Sequence, residues 1–99
     1  MTFLLADHGA VFSTRPLGAQ LRDQALARRV SGEVFTISFN GVQSISYSFA
    51  DEFLGPLMLS SERPKLADVP PQLHRIILGA LERRGVRFNE SEIFGHVCA

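Results

Sequence analysis

The most regular hydrophobic pattern in the chain lies between Pro70 and Gly85 and predicts an amphipathic helix. Apolar residues recur there at spacings of three and four, so they line one face of a helix and can pack against a core. These residues are Leu73, Ile76, Ile77, Ala80 and Leu81. Prolines at positions 70 and 71 suit the start of a helix, and Gly85 suits the position just after its end.

Two earlier segments show weaker helical spacing. The first, over residues 13–32, opens with Ser13 and Thr14, either of which can cap a helix, and closes with a Ser-Gly pair. The second helix is predicted to begin at Ser48, because apolar residues follow it at i, i+4 and i+8 spacing. These apolar residues are Phe49, Phe53 and Leu57. A Gly-Pro pair ending at Pro56 interrupts that segment, so we expect the helix to kink or stop early.

Short apolar or alternating runs between the helical segments predict strands. Residues 2–12 contain two such runs around a turn that ends in glycine, which predicts a β-hairpin. Residues 33–40 are apolar or β-branched on both faces, as in an interior strand, and a turn is expected at Asn40 and Gly41. Further short strands are predicted at Lys65–Ala67 and at residues 86–89.

The predicted order is therefore β-β-α-β-α-β-α-β within one domain that covers residues 1–99. Strands that alternate with helices indicate an α/β fold, here an open sheet of about four to five mixed strands with about three helices packed on it. In such sheets, functional residues gather where the carboxyl end of a strand turns into a helix. The segment FNGVQSISYSFADEFLGPL, residues 39–57, occupies that kind of position.

Composition and charge narrow the functional classes. The chain has 99 residues, of which 45% are apolar and 20% charged, as in an ordinary globular domain. Ten basic residues balance ten acidic ones, so no net charge attracts nucleic acid or an anionic membrane. No apolar run approaches the ~20 residues that span a bilayer. Cys98 is the single cysteine, and we expect a cytoplasmic protein without a metal or another cofactor.

The serine-rich segment does not carry the pattern of a catalytic site. A nucleophile elbow reads G-x-S-x-G, whereas Ser48 lies within SYSFA, and no histidine is near it in sequence. The histidines are His8, His74 and His96. Asp51 and Glu52 are adjacent on a helix and point about 100° apart, so they do not form an acid/base pair. We expect these two acids to stabilise the positive end of the helix instead, and we expect no catalysis.

Ser48 itself has three interpretations. With Asp51 it reads S-x-x-D, a pattern typical of a helix cap, and replacing such a cap with alanine costs about 1 kcal/mol. Phosphate on Ser48 would also be tolerated at a helix N-terminus, and it would add about −1.5 to −2 charges beside Asp51 and Glu52. The alternative is a small-ligand, nucleotide or phosphate site at the same helix N-terminus. The residue pattern leaves all three open.

The segment GEVFTISFNGVQSISYSFADEFLGPL, residues 32–57, resembles a bacterial family of STAS-like domains of unknown function. The pattern of that family is a hydrophobic strand followed by roughly F-x-G-V-x-x-I-S-x-S-F-A-D-E-L/F. The matching residues are Phe39, Gly41, Val42, Ile45, Ser46, Ser48, Phe49, Ala50, Asp51, Glu52 and Phe53. The upstream segment VFSTRPLGAQLRDQ resembles the first helix of the family, and the resemblance covers most of residues 10–84.

More distantly, the chain is similar to STAS domains proper, the anti-sigma-factor antagonists, in which a partner kinase phosphorylates the second serine of a D-S-S-G motif. On that motif, the aspartate, the two serines and the glycine fall on Ser46, Tyr47, Ser48 and Phe49. Only the key serine is retained. The resemblance implies a non-catalytic regulatory module that binds a protein partner, such as a histidine-kinase-type ATPase acting as a serine kinase. The surface that it implies consists of Ser44, Ser46, Tyr47, Ser48, Asp51 and Glu52.

Overall fold

The computed structural model describes residues 1–89 and 93–94 of the chain and shows an α/β fold in this part. The strands are β1 (Thr2–Leu4), β2 (Val11–Phe12), β3 (Thr36–Ser38), β4 (Ser44–Ile45) and β5 (Lys65–Ala67). The helices are α1 (Arg15–Arg28), α2 (Tyr47–Leu59) and α3 (Pro71–Arg83), and a short 3-10 helix covers Leu5–His8. The predicted α/β fold class with three helices is confirmed, although the five strands of this part form two small open sheets and not the single sheet that was predicted.

The strand pairings in the described residues are all parallel. β1, β3 and β5 form one sheet in that order, and β2 pairs with β4 in a second. The hairpin predicted for residues 2–12 is therefore wrong. The 3-10 helix between β1 and β2 does not reverse the chain as a hairpin turn would. Both strands before α1 therefore pair in parallel with strands before α2, β1 with β3 and β2 with β4. Thr2 lies opposite Thr36, and Val11 lies opposite Ser44.

A row of phenylalanines fixes α2 against both sheets. Ring centroids are 5.0 Å apart between Phe12 and Phe49, 5.3 Å between Phe49 and Phe53, and 6.3 Å between Phe53 and Phe3. All four rings are buried, and such aromatic pairs add about 0.5–1.5 kcal/mol each beyond their buried area. The start of α2 is therefore a rigid part of the molecule.

The three helices pack side by side, with α2 between α1 and α3. Gly18 lets α1 approach α2 closely, because a Cβ at that position would lie 3.0 Å from the carbonyl oxygen of Phe49. No helix in the described ranges is long and apolar enough to cross a membrane.

The helix boundaries confirm some predictions and correct others. α3 runs as predicted, and Gly85 follows it with φ 75°, a value that favours glycine. Thr14 caps α1 by accepting a hydrogen bond from the Leu17 N–H. α2 continues through Pro56 to Leu59, so the early stop predicted there is wrong. Residues 86–89, where a strand was predicted, form no strand.

Candidate functional site

Ser46, and not Ser48, caps α2. Its Oγ accepts a hydrogen bond from the Phe49 N–H at 3.0 Å and donates one to the Ser13 carbonyl at 2.9 Å. Its backbone is extended, as expected for the residue just before a helix. The cap predicted at Ser48 is therefore wrong, because α2 begins two residues further upstream than the S-x-x-D pattern suggested. Ser46 also ties the start of α2 to the segment that leads into α1.

Ser48 is the second residue of α2, and its hydroxyl has no hydrogen-bond partner within residues 1–89 and 93–94. Its side chain is partly exposed. Because Ser46 satisfies the helix terminus, the Ser48 hydroxyl is not required to hold α2 in place. Residues three and four apart share a helix face, so Ser48 lies one turn before Asp51 and Glu52 on the same side of α2.

Asp51 is held by arginines from two other helices. Arg84, at the end of α3, donates from Nε to Oδ1 at 2.7 Å, and Arg15 of α1 donates from Nη1 to Oδ2 at 2.6 Å. The hydrogen bond from Arg84, followed by that from Arg15, holds the pKa of Asp51 below its usual value against the opposing effect of burial. Asp51 therefore joins α1, α2 and α3 at one point.

Glu52 is contacted by two arginines of α1. Arg22 donates from Nη1 both to the carboxylate and to the backbone carbonyl of Glu52, the latter at 3.1 Å. Arg15 Nη1 also lies 3.5 Å from Glu52 Oε1. We call Arg15, Arg22, Asp51, Glu52 and Arg84 the arginine–carboxylate cluster.

This cluster corrects the predicted role of the two acids. They were expected on the exposed side of α2, but the side chain of Asp51 is only 15% exposed and that of Glu52 only 22%. They also lie beyond the first turn of α2, which contains no acidic residue, so they do not stabilise its positive end. The sequence could not show this, because the paired arginines are 30 to 36 positions away in the chain.

Three arginines face the two carboxylates of the cluster, and Arg22 also lies 3.4 Å from the carboxylate of Asp23. Arg15 is the most exposed of the three, at 46% of its side chain against 19% for Arg22 and 31% for Arg84. The sequence marked Arg15 only as part of the first helix and missed its contacts with Asp51 and Glu52.

The remaining predicted residues do come together at the start of α2. Ser44 is exposed in β4 and lies opposite Val11, whose side chain is 60% exposed. The Arg83 guanidinium lies over the ring of Tyr47, 5.7 Å from its centroid. Sequence reasoning missed Val11, because an apolar residue next to Phe12 in a short strand gave no reason to expect exposure.

The described histidines are engaged away from Ser48. The ring of His8 stacks on Phe3, with 5.3 Å between centroids. His74 contacts the Val69 carbonyl through Nε2 at 3.0 Å and stacks on Phe94. His96 and Cys98 lie outside the described residues. Among the described residues, no group of three or more His, Cys, Asp or Glu side chains could hold a metal ion.

A pocket of about 380 Å³ lies at the other end of the sheet. It opens between residues 32–35 and residues 61–65, just before β3 and β5. None of its lining residues belongs to the loop or helix start that carries Ser44 and Ser48. The pocket therefore gives no support to a ligand site at the N-terminus of α2.

Comparison with known proteins places the serine-rich segment inside a family match. A family model described as a STAS-like domain of unknown function (DUF4325) matches residues 18–68, which is more than half of the chain. The match includes β3, β4, α2 and β5, and hence all six residues of the predicted surface. No curated protein and no solved structure matches the chain.

Proposed function

This chain belongs to the family of STAS-like domains of unknown function, and from that premise we propose that it is a non-catalytic regulatory module that binds a partner protein through the start of α2. The observation that carries the proposal is the Ser48 hydroxyl. It lies at the second position of a well-anchored helix, is partly exposed and makes no hydrogen bond within the described part of the chain.

The binding surface consists of Val11, Ser44, Tyr47 and Ser48, and we call it the α2-start surface. It combines an exposed apolar side chain, an aromatic ring and small hydroxyl groups. Aromatic residues are enriched in protein–protein interfaces. The Ser46–Ser13 hydrogen bond and the phenylalanine row hold this surface in one arrangement. Binding a partner would therefore cost little conformational entropy.

Phosphorylation of Ser48 is the proposed switch. A serine kinase, for which a histidine-kinase-type ATPase is the proposed class, would transfer the γ-phosphoryl group of ATP to Ser48 Oγ. ADP leaves and the hydroxyl proton is released. The product carries about −1.5 to −2 charges in the first turn of α2, where the helix dipole tolerates an anion. A partner that fits the neutral α2-start surface would then meet a bulky, charged and strongly hydrated group.

The test compares binding by charge variants of Ser48 with a matched control. Proteins that co-purify with the tagged chain are identified by mass spectrometry, and a kinase-type ATPase among them is then titrated against purified variants. We expect Ser48→Ala and Ser48→Asn to bind like the native chain and Ser48→Asp to bind at least about tenfold more weakly, a loss of about 1.4 kcal/mol.

Gln72→Asp is the matched control, because Gln72 is the exposed second residue of α3 and receives the same charge at the same helix position. It should bind normally. Equal binding by all the Ser48 variants would contradict the switch, and equal weakening by Gln72→Asp would mean that the partner senses net charge and not this surface. Incubation of the pair with ATP should yield a phosphopeptide that contains Ser48.

A further inference from the structure

Arg15 can leave the arginine–carboxylate cluster without stranding a carboxylate. Asp51 would keep Arg84, which reaches both of its oxygens at 2.7 and 3.4 Å. Glu52 would keep Arg22. Arg15 can therefore leave while each carboxylate keeps an arginine, whereas without Arg22 the Glu52 carboxylate would keep only its 3.5 Å contact with Arg15.

Packing also separates the three arginines. The stem of Arg84 lies against Gly55, so closely that a Cβ there would lie 3.0 Å from Arg84 Cγ. Arg22 makes hydrogen bonds to a backbone carbonyl as well as to a carboxylate. Arg15 has the most exposed side chain of the three, and its flexible stem lets the guanidinium swing.

Ser48 lies on the part of α2 that the start of α1 contacts. The start of α1 runs beside the first turns of α2, as shown by the hydrogen bonds from Ser46 to the Ser13 carbonyl and from Arg15 to Asp51. Ser48 lies between those two points of contact along α2. Along the helix axis, about one turn, or roughly 5.4 Å, separates the position of Ser48 from the positions of Asp51 and Glu52.

We propose that Arg15 is the positioning residue that receives a negative charge placed on Ser48, giving up its contacts with Asp51 and Glu52 to do so. The proposal rests on the proposed function in taking Ser48 as the modified residue. Arginine binds phosphate through two parallel hydrogen bonds, which makes the exchange favourable. Without Arg15, the new charge would face two acids on its own helix side at the spacing where like charges repel. Arg15 thus transmits the state of Ser48 from α2 to the start of α1.

A double-mutant cycle on the isolated chain tests the exchange. Ser48→Glu and Ser48→Gln are compared by thermal unfolding in the native background and in an Arg15→Gln background. The benefit of a glutamate at a helix start is present in both backgrounds and cancels. We expect the difference in Tm between Ser48→Glu and Ser48→Gln to fall by about 2–4 °C when Arg15 is replaced. In 1 M salt, where the Debye length is about 3 Å, replacing Arg15 should lower this difference much less.

Arg75→Gln provides the control background, because Arg75 is exposed on α3 and has no ion pair in the described part of the chain. It should leave the difference unchanged. An identical Glu-minus-Gln difference with and without Arg15 would overturn the proposal. So would an equal change in the Arg75→Gln background, since that would be a general charge effect.

A second measurement leaves Arg15 in place. In NMR spectra of Ser48→Glu and Ser48→Gln, the Nε–H signal of Arg15 should differ while those of Arg22 and Arg84 stay alike. Unchanged signals for Arg15, or equal changes for all three arginines, would reject the exchange. Neither measurement needs a partner protein. A negative result here would therefore reject the role of Arg15, whereas a negative result in the binding test would reject the proposed function.

Discussion

Arg22 Nη1 donates to the backbone carbonyl of Glu52 at 3.1 Å, and this is the carbonyl that Pro56 leaves without its usual donor. In an uninterrupted helix, the N–H of residue 56 would bond to the carbonyl of residue 52. Proline has no N–H, and an interior proline typically costs a helix about 3 kcal/mol. α2 nevertheless continues to Leu59, and an arginine from α1 supplies a donor to the carbonyl that the proline leaves open.

We therefore expect the effects of Arg22 and Pro56 substitutions to be coupled. Arg22→Met keeps much of the stem but removes the donor, and it should destabilise the chain by about 2–3 kcal/mol, since it also removes the hydrogen bond from Arg22 to the Glu52 carboxylate. In a Pro56→Ala background the new N–H can bond to the Glu52 carbonyl, so the loss should be smaller by about 1 kcal/mol. Urea unfolding of the four variants measures this coupling. Additive effects would show that the arginine does not replace the missing hydrogen bond.

The same pair shows where sequence reasoning stops. A Gly-Pro pair inside a helical pattern correctly signals a local cost, and the pattern alone predicts a break. The compensation comes from Arg22, which lies 30 positions upstream of Glu52 and becomes its neighbour only after α1 packs on α2. α3 needed no such compensation, because its caps and its apolar stripe agree, and its prediction was confirmed.

The start of α2 was harder to predict for a different reason. Ser44, Ser46 and Ser48 are all small hydroxyl residues, and each precedes apolar residues at helical spacing. Only the pairing of β4 with β2 fixes where the strand ends and thereby selects Ser46 as the cap. The sequence therefore predicted that a helix begins among these serines, while the roles of the individual residues depended on the tertiary contacts.

The closeness of α1 and α2 predicts opposite effects for two helical glycines. A Cβ on Gly18 would lie 3.0 Å from the Phe49 carbonyl oxygen and 3.3 Å from the Phe53 nitrogen, which are backbone atoms that cannot easily move. Gly18→Ala should therefore destabilise the chain by about 1–3 kcal/mol despite the better helix propensity of alanine. Gly79→Ala is the control, since nothing lies within 4 Å of the new Cβ, and it should stabilise the chain by up to about 1 kcal/mol. Two losses of similar size in thermal unfolding would contradict this reading of the α1–α2 contact.

Asp51 predicts a pH-dependent contribution to stability. Its folded-state pKa lies below the ordinary value of 3.8, mainly because of the hydrogen bond from Arg84. The carboxylate therefore stabilises the fold fully above that ordinary value, and the contribution is lost as pH falls through the folded-state pKa. Asp51→Asn should cost on the order of 1–2 kcal/mol at pH 7, and the difference from the native chain should shrink below about pH 4.

Denaturant unfolding across roughly pH 2.5–8, which begins below the ordinary carboxylate pKa values of about 4 and ends well above them, measures the Asp51 effect. Asp23→Asn serves as the control, because Asp23 is 71% exposed and makes a single long ion pair with Arg22. It should change stability by less than about 0.5 kcal/mol. A loss in Asp51→Asn that is the same at pH 3 and pH 7 would mean that shape, and not charge, sets the role of this residue.

The cap of α2 gives the sharpest contrast between neighbouring residues. Ser46→Ala removes a hydrogen bond to the Phe49 N–H and another to the Ser13 carbonyl, so we expect a loss of about 1–2 kcal/mol. Ser48→Ala removes a hydroxyl with no partner among the described residues and slightly improves helix propensity, so its effect should lie within about 0.5 kcal/mol. Thermal unfolding of the two variants, with Ser46→Asn as a cap-preserving control, tests both values. A larger loss of stability from Ser48→Ala than from Ser46→Ala would mean that Ser48 caps α2. Its hydroxyl would then be needed for the fold itself and would not be free for a partner or a kinase.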